Sequence, residues 1–371
     1  MVRFVVLFRK ALCLLGVTAF LLAEPLDAAV PGNRPVGAPA EEPPAVTVPA
    51  GEFADLPLQA GPALGAPTVE WTLHKTADGA HPDGREQQAL WLMNRARANP
   101  SAEGLWLATA TEPDIAGGRD YFHVNTTVLQ NEFNGYAVKP PAAFDVRLYS
   151  AAKAHSDDLI ARNAQDHTGQ FARVDAAGFH WQSIRGNVFA YADSGLNAHG
   201  AWNIDWGGGT VDGMQTGRGH RKAIMSLDGD YTNVGLALVY ENNPATSVGP
   251  YVTTGNYCRA NTSYADHYNL FIVGTVWRDL NGNNRYDPGE GLGGVTVRPS
   301  AGTYYAVTSA AGGYAIPVTM APGTYPVTFS GAVSGTGNAT IGSTSVLLDL
   351  RADSLPPPVY TRRLHLPLII R

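Results

Sequence analysis

Residues 144–163, FDVRLYSAAKAHSDDLIARN, set the architecture of the first part of this chain because they have the spacing of an amphipathic helix. Leu148, Ala152, His155 and Leu159 follow one another at intervals of four, three and four, which places them on one helical face. Asp145 stands where an N-cap is expected. The pattern predicts a helix that buries this face, and it favours a hydrogen-bonded core histidine over a ligand role for His155.

The segments around this helix indicate further helices and a few strands. Residues 86–98 have helical periodicity, and Asn99-Pro100 should end that helix. Residues 194–209 are typical of a shorter helix that ends in glycines. The alternating runs at 233–241 and 249–258 predict a hairpin, and residues 101–143 are expected to be irregular with short β-like pieces. We therefore predict an α+β or α-β-α layered fold for this part of the chain.

The chain changes character near residue 270. Short β-rich runs such as LFIVGTVWRDL, TYYAVTS and GTYPVTFSG are separated by Gly or Pro, which predicts a small antiparallel β-sandwich. The expected organisation is a signal peptide at 1–29, a Pro/Ala-rich linker at 30–68, the α+β domain at 69–268, the sandwich at 269–352 and a tail at 353–371.

The N-terminus predicts secretion. Arg3, Arg9 and Lys10 precede an apolar run of 13 residues, which is shorter than a typical membrane span, and a small-residue cleavage region follows. An uncleaved anchor is the alternative; after cleavage no stable membrane span is expected. The net charge of −6, without a Lys/Arg block, argues against nucleic-acid binding. Loss of Cys13 with the signal would leave Cys258 alone, more typical of a buried small hydrophobe than of a nucleophile.

Residues 279–290, DLNGNNRYDPGE, predict a calcium loop. Calcium prefers six to eight oxygen ligands from alternating positions of such a loop, with a final carboxylate. The predicted ligands are, in order, Asp279, Asn281, Asn283, the carbonyl of Arg285, Asp287 and Glu290. Asn284 stands where glycine is usual, and asparagine also tolerates the left-handed backbone. A merely polar turn is the alternative.

This loop and the strands around it resemble the SdrD B-like repeats of bacterial surface proteins. The resemblance covers about residues 270–350 and rests on GTVWRDLNGNNRYDPGEGLGGVTV and TSAAGGYAIPVTMAPGTYPVTF. It implies a calcium-stiffened β-sandwich that acts as a spacer or adhesive stalk.

Residues 80–258 resemble the CAP superfamily, the SCP-like group of cysteine-rich secretory, antigen 5 and pathogenesis-related proteins, in its bacterial form. Seven motifs carry the resemblance in order: LMNRARANP, PAAFDVRLYSAAKAHSDDLI, QDHTGQ, GNVFAYA, AHGAWNIDWG, GRGHRKAIM and YTNVGLALVY. The resemblance implies an α-β-α sandwich with a central cleft that holds two histidines and two acidic residues, and in some members zinc.

Carried over motif by motif, the cleft residues are His167, His220 and Asp205. Gly217 and Gly219 would let the chain turn so that His220 enters the cleft. The second acidic residue of the family belongs to a Gly-Glu-Asn motif, where this chain has Arg185-Gly186-Asn187. Gly186 therefore removes the expected general base. Two imidazoles and one carboxylate remain as candidate zinc ligands.

Three functions remain open from the sequence. The preferred one is a secreted CAP-like protein that binds an extracellular lipid, glycan or protein in a His-lined cleft and is carried on a calcium-stabilised spacer. The second is a metal-dependent hydrolase that uses the cleft histidines. Gly186 argues against this enzyme without excluding it, because it stands where the general base is expected. A structural component of the cell surface or matrix is the third.

Overall fold

The computed structural model describes residues 37–41, 43–47 and 65–354. The predicted signal peptide, most of the predicted linker and the tail after residue 354 lie outside these residues. Helices and mixed sheets both occur in the described part, which confirms the α+β class. No helix of this part is long and apolar enough to cross a membrane.

The helices lie in the first two thirds of the chain. They are α1 (Gly84–Ala98), α2 (Pro100–Thr109), α3 (Pro113–Tyr121), α4 (Thr126–Asn134), α5 (Val146–Arg162), α6 (Gln170–Ala176), α7 (Gly195–Gly200), which continues as a π-helical turn (Ala201–Asp205), and α8 (Gly219–Ile224). Helices α1 and α5 confirm their predictions, and the Asp145 side chain accepts from the backbone N–H of Arg147 as an N-cap. His155 is fully buried and its Nε2 donates to the Asp166 carbonyl (3.0 Å), as a core histidine does.

The prediction of an irregular stretch at 101–143 was wrong, because α2, α3 and α4 occupy most of it. Caps mark the starts of these helices. Pro100 and Pro113 stand at the start of α2 and α3, where the missing N–H costs nothing. The side chains of Asn99 and Asn125 accept from backbone N–H groups in the first turns of α2 and α4.

The strands form three sheets. In chain order they are β1 (Val46–Thr47), β2 (Val69–Glu70), β3 (Ala143–Phe144), β4 (Trp181–Ala192), β5 (Asn233–Tyr240), β6 (Tyr251–Ala260), β7 (Phe271–Trp277), β8 (Thr296–Pro299), β9 (Tyr304–Val307), β10 (Gly313–Pro317), β11 (Gly323–Ser330), β12 (Gly335–Ile341), β13 (Val346–Leu347) and β14 (Leu350–Arg351). The first sheet has the order β1-β4-β6-β5-β3. Strands β5 and β6 pair antiparallel, which confirms the predicted hairpin.

Both faces of the first sheet carry buried side chains. Val188 of β4 packs with Leu159 of α5, whereas the next residue, Phe189, belongs to the cluster built by α1 to α4, α7 and α8. This alternation follows from the two-residue period of a strand. Cys258 lies in a third cluster against α5 and α6 as a buried free thiol, as expected of a small hydrophobe.

The C-terminal strands form the other two sheets, which share one apolar core. One sheet has the order β10-β7-β13, and the other has the order β12-β11-β8-β9-β2. Ile272 and Ile316 from the first contact the same cluster as Val297 and Phe329 from the second. Strands β13 and β14 pair in parallel with β7, and β2 pairs in parallel with β9. The prediction of a purely antiparallel sandwich was therefore wrong in these three pairs.

Helix α1 joins the N-terminal part to the C-terminal strands by direct hydrogen bonds. Gln87 Nε2 donates to Thr275 Oγ1 (2.8 Å), and Trp91 Nε1 donates to Asp349 Oδ2 (2.9 Å). Strand β2 also reaches across to pair with β9. The boundary expected at 268/269 stays a prediction, but the chain segments on either side of it pack against each other.

Candidate functional site

Asp205 holds His220 in a fully buried position at the start of α8. The chain enters this helix through two left-handed residues, Gly217 (φ +82°) and Arg218 (φ +54°). His220 Nδ1 lies 2.8 Å from Asp205 Oδ1, and the other carboxylate oxygen accepts from the backbone N–H groups of His220 (3.1 Å) and Arg221 (3.4 Å). Because a carboxylate here only accepts, Nδ1 of His220 carries the proton.

Gln170, the first residue of α6, holds His167. Its amide NH₂ donates to the Gly255 carbonyl (3.1 Å) and to Asn256 Oδ1 (2.9 Å), so its Oε1 is left to face His167 Nδ1 at 2.6 Å. Nδ1 of His167 must therefore be the donor. In the neutral ring, the remaining nitrogen, Nε2, then bears a lone pair.

The Nε2 atoms of His167 and His220 are both buried and have no hydrogen-bond partner among the described residues. The pKa of His167 is lowered to about 4, mainly by burial; the hydrogen bond to Gln170 raises it and the nearby His220 lowers it. A metal-binding histidine characteristically donates its second ring nitrogen to an acceptor and presents the first as a lone pair. Both rings have this arrangement, and Oδ1 of neighbouring Asn187 is a third buried atom without a partner.

The side chain of Gln170 fills the space beside Gly186, the residue that replaces the expected glutamate. A Cβ atom built on Gly186 would lie 2.4 Å from Gln170 Nε2 and 2.6 Å from Gln170 Cδ. The amide of Gln170 thus fills the space that a side chain at position 186 would enter. An amide cannot act as a general base, so this exchange supplies no substitute for the missing carboxylate.

Asp205, the third cleft candidate, takes a supporting position. It bonds the Nδ1 side of His220, opposite the lone pair of Nε2, and so orients the ring. Another buried histidine, His199, contacts Glu103 instead (Nε2 to Oε1, 2.7 Å), in a network with Arg95 and Asn203. The sequence reasoning missed Gln170, although its position three residues after His167, at a helix start, was a usable signal.

The loop at 279–290 turns its oxygen-bearing side chains inward. Asp279 accepts from the backbone N–H groups of Gly282, Asn283 and Asn284 (2.8 to 3.1 Å). The amides of Asn281 and Asn283 donate to Asp287 Oδ2. Asn284 is left-handed (φ +61°), as its position in the loop requires.

The carboxylate of Glu290 joins the two ends of the loop. Glu290 Oε1 accepts from the N–H of Leu280 and its Oε2 accepts from the N–H of Asp287, both at 2.8 Å. Three carboxylates are thus held in one short loop. They are paired with backbone N–H groups, two amides and the guanidinium of Arg351, which lies 2.7 Å from Asp279 Oδ2.

The loop also contacts the helices of the N-terminal part. Arg285 forms an ion pair with Glu112 and lies over the ring of Trp106, 5.4 Å from its centroid. Gln88 of α1 donates to Asp287 Oδ1 at 2.8 Å. Two of the predicted calcium-binding positions therefore belong to residues whose side chains touch α1, α2 and the start of α3.

Among the described residues, one His/Asp/Glu group has ligand atoms that all lie within 4.8 Å of one another, namely His81, Asp83 and Glu86, and neither the cleft residues nor the loop carboxylates form such a group. Its contacts are those of a helix cap. Asp83 caps α1, Glu86 accepts from the Asp83 N–H, and His81 Nδ1 lies 2.7 Å from Glu86. These bonds account for the group without an ion.

Comparison with known proteins found no matching family model, no matching curated protein and no matching solved structure.

Proposed function

We propose that this chain is a secreted CAP-like binding protein whose cleft binds a zinc ion at His167 and His220. The observation that carries the proposal is the pair of buried imidazole Nε2 atoms, each without a partner and each with its Nδ1 atom fixed by an acceptor. Leaving such atoms unpaired in the interior is costly, and a bound metal ion would use both lone pairs. Helices on both faces of the first sheet support the finer assignment of an α-β-α sandwich.

The donor set suits binding better than hydrolysis. Imidazole nitrogens are good zinc ligands. Asp205 is engaged on the far side of His220, so the described residues offer two firm ligands, and a tetrahedral ion would take its remaining ligands from water or a bound partner. The hydrolase alternative needs a general base, which neither Gly186 nor Gln170 provides. We therefore propose that an extracellular lipid, glycan or protein binds in this cleft.

We also propose that the loop at 279–290 binds calcium and stiffens the C-terminal β-sandwich as a spacer. The inward-facing oxygens of Asp279, Asp287 and Glu290 support this, together with the left-handed Asn284. Calcium would then use Asp279, Asn281, Asn283, the Arg285 carbonyl, Asp287 and Glu290. Secretion and a role at the cell surface belong to the same proposal, and a purely structural surface component is the alternative that a ligand-free cleft would favour.

Zinc titration of the chain from residue 30 to residue 371 by calorimetry tests the cleft. We expect micromolar or tighter binding in the wild type, and its loss in His167→Ala/His220→Ala, because both firm ligands are removed. Gln170→Ala should weaken binding by about tenfold or more, since it releases His167 from its orientation. His180→Ala, which changes an exposed histidine, is the matched control. Equal zinc binding in the wild type and the double variant would refute the cleft site.

The metal-free protein should lose stability as the pH falls from about 6.5 to about 4. In the folded protein the pKa of His167 is about 4, below its ordinary value of 6.5. Between these two pH values the unfolded chain binds a proton at His167 and the folded chain does not, so protonation favours unfolding. The stability of the wild type relative to His167→Asn should therefore be greatest near pH 7 and decline by about 2 kcal/mol at pH 4, allowing for partial exposure of the ring. Urea unfolding of both proteins across this range measures the difference; a constant difference would contradict a buried neutral His167.

A further inference from the structure

A pocket of about 480 Å³ lies where the end of the first sheet meets the C-terminal strands. Its walls come from Pro140, residues 230–232 before β5, residues 259–270 from the end of β6 to the start of β7, residues 318–319 after β10, and residues 343–345 between β12 and β13. The pocket shares no residue with the histidine site or with the loop at 279–290. Pockets of this volume, at the junction of two packed parts, are typical of small-molecule sites.

The polar lining carries hydroxyl groups and balanced charge. Threonine and serine side chains reach it from both sides, among them Thr232, Thr319 and Thr344. One carboxylate and one guanidinium, Asp230 and Arg259, lie 3.7 Å apart. A ligand of either charge would therefore meet one opposite and one like charge, which gives a neutral ligand the advantage.

The rest of the lining is apolar or held in place. Leu270, Val318 and the ring of Tyr268 supply carbon surface. Asn269 is fixed by Ala260 from both sides, accepting from its N–H (2.8 Å) and donating to its carbonyl (2.9 Å). A wall fixed in this way is already formed before a ligand arrives, so less ordering entropy is lost on binding.

Two hydroxyls at the edge of the pocket remain available. Ser343 and Thr344 are exposed, and their side chains make no hydrogen bond within the described part of the chain. Each hydroxyl can donate once and accept twice. The carboxylate of Asp230 can accept hydroxyl protons, whereas Arg259 is engaged with Gln182 (Nε to Oε1, 3.0 Å).

We propose that this junction pocket binds a neutral saccharide of one or two sugar units. The hydroxyl groups of a sugar both donate and accept, which matches Asp230 and the hydroxyls of Ser343 and Thr344. Its C–H faces match the carbon surface of Leu270, Val318 and Tyr268. The proposal is independent of the metal sites, because no residue is shared with them.

Titration of the chain from residue 30 to residue 371 with maltose, cellobiose and N,N′-diacetylchitobiose tests the proposal. Calorimetry or ligand-observed NMR should give a Kd of about 1 mM or tighter for at least one of them. Thr344→Trp, which places an indole at the pocket edge without touching the core, should weaken that binding by about tenfold or more. Asp230→Ala should weaken it by a similar factor, since a carboxylate partner is lost.

Thr336→Trp is the matched control, because Thr336 is exposed on β12 and does not line the pocket. It should leave the Kd unchanged. Because the ligand is neutral, the Kd should change by less than about twofold between low salt and about 0.3 M NaCl. The proposal is overturned if none of the three disaccharides binds at about 10 mM. It is also overturned if Thr344→Trp binds as the wild type does, or if zwitterionic glycylglycine binds the pocket in their place.

Discussion

Gly186→Glu lowers the free energy of unfolding by about 3 kcal/mol, because the new side chain enters space that the Gln170 amide already fills. The first added carbon would lie 2.4 Å from Gln170 Nε2. Gln170 is buried, and moving its amide breaks the bonds to Gly255, Asn256 and His167. The loss should therefore exceed the cost of crowding alone.

A double-mutant cycle separates crowding from other effects of this substitution. We expect Gln170→Ala/Gly186→Glu to be more stable than the sum of the two single changes predicts, because removal of the amide vacates the space for the glutamate. Urea unfolding of the four proteins gives the coupling. Gly117→Ala is a matched control, since a Cβ there has no neighbour within 4 Å. Strict additivity would show that Gln170 and position 186 do not compete for the same space.

The zinc affinity of these variants links the packing to the proposed function. Gly186→Glu displaces the acceptor that orients His167, so zinc binding should weaken together with stability. The double variant places a carboxylate near His167 in the space vacated by the amide, and it should recover more zinc affinity than Gln170→Ala alone. Recovery of stability without recovery of affinity would mean that Gln170 is needed for its own hydrogen bond to His167.

Calcium should raise the free energy of unfolding by about 3 kcal/mol when it is present at about one hundred times its Kd, and Asp279→Ala or Glu290→Ala should abolish that gain. The proposed calcium site exists only in the folded loop, because the unfolded chain does not hold the six oxygens together. Thermal unfolding of each protein in calcium and in chelator measures the gain.

The calcium-dependent increase in the free energy of unfolding must be compared within each protein, because Asp279 and Glu290 also have hydrogen-bond partners without calcium. Asp279 accepts from three backbone N–H groups and from Arg351, so Asp279→Ala should cost some stability in chelator as well. Asp266→Ala, which changes an exposed carboxylate outside the loop, should keep the full calcium gain. A gain that survives in both loop variants would place any calcium effect elsewhere.

Local patterns predicted part of the fold well. Helix α5 followed from an N-cap and a repeating apolar face, and the β5–β6 hairpin followed from alternation. Helices α2, α3 and α4 were missed because the signals at their starts, Asn99, Pro113 and Asn125, were not used. Strand β4 was not predicted, since it is buried on both faces and shows no alternation.

By itself, the sequence determined the α+β class, the hairpin, the burial of His155 and Cys258, and the left-handed turn at Asn284. Each of these features depends on residues that are close together in the chain, so their spacing can be recognised from the sequence alone. Only the tertiary structure decided that Gln170 occupies the space beside Gly186 and that Asp205 bonds the Nδ1 side of His220. It also decided that a pocket opens between the end of β6 and residues 343–345. These features depend on contacts between segments that are far apart in the chain, and the packing of the whole core sets which residues of those segments meet.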